Sequence, residues 1–335
     1  MESAREQPAI PVADALPGKS ARVSRLAVLL AFAAIYLIWG STYLAIKVAI
    51  ETIPPFLMAG ARFTIAGLLL YVFARGRGDA APTAANWRQA AIIGSLLFLA
   101  GNGALTWAEL RVPSGLAALV LSIIPLWMVL LHHLELHRGL GWQLILGLVL
   151  GLAGIALLVG PRELLGGGRV SPGGAGILVA GSIAWAIGSV HSRQAKIPKS
   201  SLLAASMEMI AGGAGLLVLG LATGEGPALL HSHVSAHSWL GLAYLIAFGS
   251  LLGFTAYQWL LTVSTPSRVA TYAYVNPVIA VLLGWALGGE SLTPRIFAAT
   301  VIIISAVAII IARQARSDKD PQELPASGEC PETVV

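Results

Sequence analysis

The sequence predicts an all-α integral membrane protein of ten transmembrane helices, arranged as two five-helix repeats of opposite orientation. Three observations carry that prediction. Of the 335 residues 56% are hydrophobic and only 11% are charged, with a mean hydropathy of +0.79, whereas a soluble domain carries roughly 25% charged residues. So few charges cannot cover a surface that faces water. The apolar residues also gather into ten runs of about 20, the length that carries a helix across a hydrocarbon core of roughly 30 Å. Finally, the two halves of the chain match each other in register.

The runs cover 26–46, 53–74, 88–108, 113–132, 141–160, 173–190, 200–222, 239–262, 267–287 and 294–312. The first is already of full transmembrane length, which argues against a cleaved signal peptide. Residues 1–25 and 313–335 are rich in Ala and Pro or in charge, lack apolar periodicity, and read as disordered tails. The first repeat is expected over 26–160 and the second over 173–312, with 161–172 as the linker. Ser171-Pro172, Thr265-Pro266 and Thr293-Pro294 each put a capping hydroxyl ahead of a Pro, a pattern that starts helices. Fifteen of the 21 Lys and Arg fall on segments that share a side with the N-terminus, five fall on the other side, and Arg62 alone lies within a span. By the positive-inside rule both termini are then cytoplasmic. The same asymmetry explains the pI of about 9.6 without nucleic acid as a partner. The single cysteine, Cys330, offers neither a disulfide framework nor a cysteine-rich metal site.

An odd number of crossings per half obliges a duplicated half to enter the membrane from the opposite side. Pro125-Leu-Trp-Met-Val-Leu-Leu131 slides onto Pro277-Val-Ile-Ala-Val-Leu-Leu283 at an offset of 152, which continues without a gap through Leu140/Leu292 and Ala156/Ala308. Gly94-Ser-Leu-Leu97 matches Gly249-Ser-Leu-Leu252 nearby. Inverted repeats are a signature of secondary transporters, whose sites lie between the halves near the bilayer midplane.

Polar and aromatic residues fall on particular helix faces. Trp39, Tyr43 and Lys47 are four apart and share a face, as do Asn102, Thr106 and Glu109. Tyr272 and Asn276, Phe254 and Gln258 with Tyr257 adjacent, and Ser182, Trp185 and Ser189 form similar sets. Asn102, mid-span between two glycines, requires either an interhelical hydrogen bond or a cavity wall. Pro125 and Pro277 each remove a backbone bond within a span, and read either as packed kinks or as symmetric hinges beside a cavity. Arg62 and Glu208 lie near span midpoints, where each costs about 2.5 to 3.5 kcal/mol to insert. They align between the halves, and a structural clamp or a coupling-ion site would each account for them, with a proton as the candidate ion and Glu208 its carrier. His231, His233 and His237 share one loop, and His133, Glu135 and His137 another. The latter lacks the spacing of a helical zinc motif, and both sets read as solvated. No metal or cofactor is implied. The pairs Gly147/Gly151, Gly249/Gly253 and Gly284/Gly288 allow close helix packing.

Three stretches carry a family resemblance: Leu37-Ile-Trp-Gly-Ser-Thr-Tyr-Leu-Ala-Ile-Lys47, Pro54-Pro-Phe-Leu-Met-Ala-Gly-Ala-Arg-Phe63, and the long segment Pro266 to Glu290. They resemble the EamA family of the drug/metabolite transporter superfamily, and the likeness covers nearly all of 26–312. The resemblance implies ten helices as two inverted EamA repeats in a bacterial inner membrane, exporting amino acids or other small metabolites. It also implies a central cavity lined mainly by the first, third, fourth, sixth, eighth and ninth helices. Lys47, Arg62, Pro277 and Glu290 match the family pattern; the first half departs from it with Arg138 where Glu290 would repeat, so Glu290 reads as a helix-entry residue before Thr293.

The sequence therefore points to a secondary carrier working by alternating access on a small organic molecule, not to an enzyme. Trp39, Tyr43, Asn102, Trp185, Tyr257, Gln258, Tyr272 and Asn276 are the expected substrate contacts, and Pro125 and Pro277 the expected hinges. The competing readings are a facilitative uniporter or channel of the same fold, and a membrane enzyme using Glu109 and the outer histidines, His231 and His237 among them.

Overall fold

The computed structural model describes residues 24–135, 141–159, 171–231, 233–264 and 266–317. Among the described residues nine helices are long and apolar enough to cross a bilayer, and the first eight are α1 Arg25–Ala49, α2 Pro55–Gly76, α3 Ala84–Ala108, α4 Ser114–Glu135, α5 Trp142–Val159, α6 Pro172–Ser192, α7 Ser201–Ala222 and α8 Ala236–Val263. The apolar helix α9, Tyr272–Ala286, is shorter and is preceded by the one-turn helix Pro266–Val269. The last helix, α10, Pro294–Ser317, holds the remaining apolar span and continues to Ser317, where a tail was expected from 313. These segments make ten crossings, five per half, so both described ends of the chain emerge at one end of the bundle. The opposite end is called the far end below. The remainder of both expected tails, most of the linker, Arg138, His137, Thr265 and Cys330 lie outside the described residues.

Local chemistry fixes the helix starts. Ser171 Oγ accepts from the Gly174 amide at 3.2 Å, Ser200 Oγ from Leu203 at 3.3 Å, and Thr293 Oγ1 from Ile296 at 3.2 Å. Each takes up an amide that has no partner within its helix.

Two spans are less regular than the apolar pattern suggests. α4 is interrupted at Ser122 and Ile123, and Pro125 is the second residue of the piece that resumes at Ile124. In the first turn a Pro gives up no helical bond, so Pro125 marks a helix restart rather than a kink within a span. Pro277 does lie inside α9, while the interruption on that side falls earlier, at Ala270 and Thr271. The paired prolines thus occupy different helical environments.

The third helix of each half carries an eight-residue π-helical segment, Ser95–Asn102 in α3 and Leu245–Leu252 in α8. Wide turns of this kind disturb the regular ladder of backbone bonds and recur at functional sites. A side chain donates to a carbonyl within each segment: Asn102 Nδ2 to Leu97 O at 3.4 Å, and Trp39 Nε1 to Gly249 O at 3.1 Å. The Asn102 amide is therefore bonded within its own helix, not across to another.

In lipid, helices gain by close backbone approach at small residues. α2 and α7 pack in antiparallel register, Gly60 against Leu217, Gly67 against Ile210 and Gly213 against Thr64, where an added Cβ would meet its neighbour at 2.8, 2.9 and 2.6 Å. This register puts Gly215 opposite Arg62 and Leu69 opposite Glu208. The two ionisable residues are thus seven positions apart, about 10 Å along the axis, and the structure does not pair them. Repeat symmetry made them equivalent without making them neighbours.

Candidate substrate seam and far-end clasps

Where the halves meet, aromatic side chains form a continuous band. Trp39 of α1 stands between Phe254 and Tyr257 of α8 and Tyr272 of α9, with ring centroids at 5.6, 5.2 and 5.1 Å. Tyr257 and Tyr272 also meet edge to face at 5.9 Å. From Phe254 the band crosses to Phe98 of α3 at 6.3 Å, and Phe98 meets Trp185 of α6 at 6.1 Å. Such tilted and edge-on pairs are favoured by the ring quadrupoles. Spacing along single helices could place Trp39, Trp185, Tyr257 and Tyr272 on faces. It could not show that Phe98 completes the connection, because nothing in the pattern around Phe98 separates it from its apolar neighbours.

Three polar groups border the band. Arg62 is 6% exposed, donates Nε to Ser250 Oγ at 3.1 Å within the α8 π segment, and lies 4.6 Å from the centroid of the Phe63 ring. Its charge is thereby shared between a hydroxyl and a π face. Asn276 is 6% exposed, and its Oδ1 has no hydrogen-bond partner, an uncommon state for a buried amide. Tyr43 packs against the main apolar cluster. Trp127 of α4 donates to Ser182 of α6 at 3.0 Å, which ties those helices beside the band. Gln258 is half-buried on α8 and joins none of these contacts. A groove of about 270 Å³ lined by Phe56, Leu99, Gly103 and Trp107 lies alongside α3 rather than at the band. His133 of α4, and His231 at the end of a short helix Glu225–His231, each bond a carbonyl four residues earlier.

At the far end two carboxylates of the second half cap helices of the first. Glu225 accepts from the Phe56 and Leu57 amides at 3.2 and 2.9 Å, closing the start of α2. Glu290 accepts from the Ser114 amide at 2.6 Å, the Ser114 hydroxyl at 2.8 Å and the Gly115 amide at 3.1 Å, closing the start of α4. Glu290 is therefore not an entry residue of α10, which Thr293 caps. A carboxylate at a helix N-terminus satisfies free amides and complements the helix dipole. Thr52 adds a third link between the halves, donating to Ser238 Oγ at 2.8 Å. Lys47 Nζ donates to the backbone carbonyl of Glu109.

A membrane-embedded bundle of two five-helix repeats, with its polar and aromatic residues concentrated where the repeats meet, has the architecture of a transport protein. The EamA-like transporter family model matches residues 25–160 and 173–312, once in each half, and the chain belongs to that family. The protein named inner membrane transporter YedA of Escherichia coli (strain K12) is 40% identical over 280 residues, 83% of this chain and 88% of that protein. The transporter YvbV of Bacillus subtilis (strain 168) is 27% identical over 288 residues, covering 86% and 92%. One solved crystal structure is similar with a TM-score of 0.58 at 23% identity, covering 88% of this chain and 100% of that one, a likeness of fold. The protein is thus a multi-pass membrane transporter whose family acts on small molecules.

Proposed function

We propose that the chain is a secondary active carrier that exports a small organic metabolite or amino acid across the bacterial inner membrane by alternating access, with both termini in the cytoplasm. The observation that carries this reading is the aromatic band running from α9 through α1, α8 and α3 to α6, across the junction of the repeats. Trp and Tyr faces suit the body of an organic solute. The unpartnered Asn276 Oδ1 and the Arg62 guanidinium beside them suit its polar groups. With the termini inside, the far end is periplasmic, and the clasps at Glu225 and Glu290 tie the two halves together on that side.

The test compares metabolites in spent medium from cells that overexpress the protein and from cells that lack it, then follows the hits in proteoliposomes. Accumulation against a concentration gradient, driven by an imposed pH or ion gradient, is the expected result. Movement only down the solute's own gradient would make the protein a uniporter. Chemical conversion of the solute, or no movement under any gradient, would overturn the reading.

A further inference from the structure

Glu109 is a buried polar residue that neither the band nor the clasps employ. It caps the C-terminus of α3, just past the end of that span, yet it is 0% exposed. Neither of its carboxylate oxygens has a hydrogen-bond partner. Lys47 uses the Glu109 backbone carbonyl and leaves the side chain alone. An ionised carboxylate cut off from both water and donors is among the most costly arrangements a protein can bury. One proton removes the charge.

The groups that face Glu109 come from three other elements: Tyr43 and Lys47 from α1, Arg62 from α2, and Glu290 from the turn after α9. Lys47 and Arg62 favour the anion and Glu290 opposes it, but burial outweighs them and pushes the Glu109 carboxyl well above the usual carboxylate range. Arg111, on the same turn as Glu109, lies over the Trp107 ring at 4.7 Å. From α4 the nearby polar group is Ser114, already taken up by Glu290. On α6, Ser182 is engaged by Trp127.

We propose that Glu109 is the proton-binding carboxylate of the carrier: it holds a proton while the far ends are clasped and releases it to water when they part. The proposal rests on the carrier reading above and makes Glu109 the proton-sensitive gate of its far end, taking up and giving up its proton on that side. The sign follows from linkage. The clasped conformation binds the proton more tightly than the parted one, so it is favoured at low pH and loses that advantage as pH rises through the clasped-state titration of Glu109.

The test needs no transported solute. Spin labels are attached at Leu110→Cys and Leu287→Cys, both exposed and on either side of the Glu290 clasp, in the full-length chain carrying Cys330→Ser, reconstituted in lipid nanodiscs. Their separation is followed by double electron–electron resonance, from pH values that protonate any carboxylate up to those where lysine begins to lose its charge. The wild-type chain should move from a single short distance to a longer one as pH rises. Glu109→Gln, neutral at every pH, should stay short throughout, and Glu109→Asp should keep the transition with a displaced midpoint. Infrared spectra at neutral pH should show a protonated carboxylic C=O stretch with one component that Glu109→Gln removes and Glu208→Gln retains.

The proposal is overturned if wild-type distances ignore pH, if Glu109→Gln opens over the same range as wild type, or if Glu109→Gln removes no component of the infrared band. Should Glu109→Gln fail to fold, an unmoved midpoint in Glu109→Asp has the same force. A solute that moves in proteoliposomes while the distances ignore pH would leave the carrier and remove its proton site. Far ends gated by pH with no transported solute would remove the carrier reading alone.

Discussion

The Glu290 clasp gives the sharpest test of how the two halves hold together. Glu290→Ala removes the acceptor for the Ser114 amide at 2.6 Å, the Ser114 hydroxyl at 2.8 Å and the Gly115 amide at 3.1 Å. The hydroxyl can rotate to another partner. The two amides open a helix, and because Ser114 is 0% exposed water cannot readily replace the carboxylate. A hydrogen bond to a charged group is worth about 1.5–3 kcal/mol, and the lost charge at the start of α4 adds roughly 0.3–1 kcal/mol. For either amide the loss is then on the order of 2–3 kcal/mol, which at about 1.4 kcal/mol per factor of ten means roughly 30- to 100-fold faster hydrogen exchange. Mass spectrometry of exchange in the segment Val112–Leu121 reads this directly, with the start of α2, held by Glu225, as an internal control. Glu290→Gln, which keeps an acceptor oxygen but not the charge, should fall between. Unchanged exchange at Ser114 and Gly115 in Glu290→Ala would refute the idea that this carboxylate holds the far ends closed.

Two further substitutions separate the roles of the intramembrane charges. At Gly249 an added Cβ would lie 3.0 Å from Thr42 Cγ2 and 3.1 Å from Arg62 Nη2, so Gly249→Ala should displace the guanidinium from Ser250 and lower thermal stability in detergent by about 1–3 kcal/mol; an unshifted melt would mean that Arg62 is not seated as described. Glu208→Gln should change stability by less than about 1 kcal/mol, since Arg62 is bonded to Ser250 instead. A loss of about 3–5 kcal/mol, the cost of breaking a buried ion pair, would restore the clamp between Arg62 and Glu208.

The spans were legible because hydrocarbon thickness imposes a length and an apolar composition on each crossing, and no local detail can evade that requirement. The break at Ser122 and Ile123 and the one-turn helix before Ala270 were not, because apolar composition is the same on either side of an interruption. The π segments were hidden for the same reason: an i→i+5 turn changes which carbonyl is free without changing hydropathy. Five members of the aromatic band, Phe254 among them, were found from helical spacing, while Phe98 was missed because its neighbours are equally apolar. Arg62 and Glu208 show the limit of repeat matching most clearly. Alignment reveals which residues are equivalent under the pseudo-twofold, but antiparallel α2 and α7 bring residues together in reverse order. Glu109 was visible on a polar stripe with Asn102 and Thr106. Its isolation from water depends on the far end folding over it, which only the tertiary structure supplies.

Both clasping carboxylates, Glu225 and Glu290, belong to the second repeat, and both helix starts they close belong to the first. In a perfectly duplicated chain every such latch would have a twin at the opposite membrane face, and the two closed forms would be isoenergetic, populated equally without any gradient. Here the twin of Glu290 at the matching offset is Arg138, one of the basic residues that marks the side of the termini. An arginine side chain has no acceptor oxygen, so the sequence offers no carboxylate latch at that offset. The duplication is thus unequal at this one offset, and Arg138→Glu is the single substitution that would return a carboxylate to it.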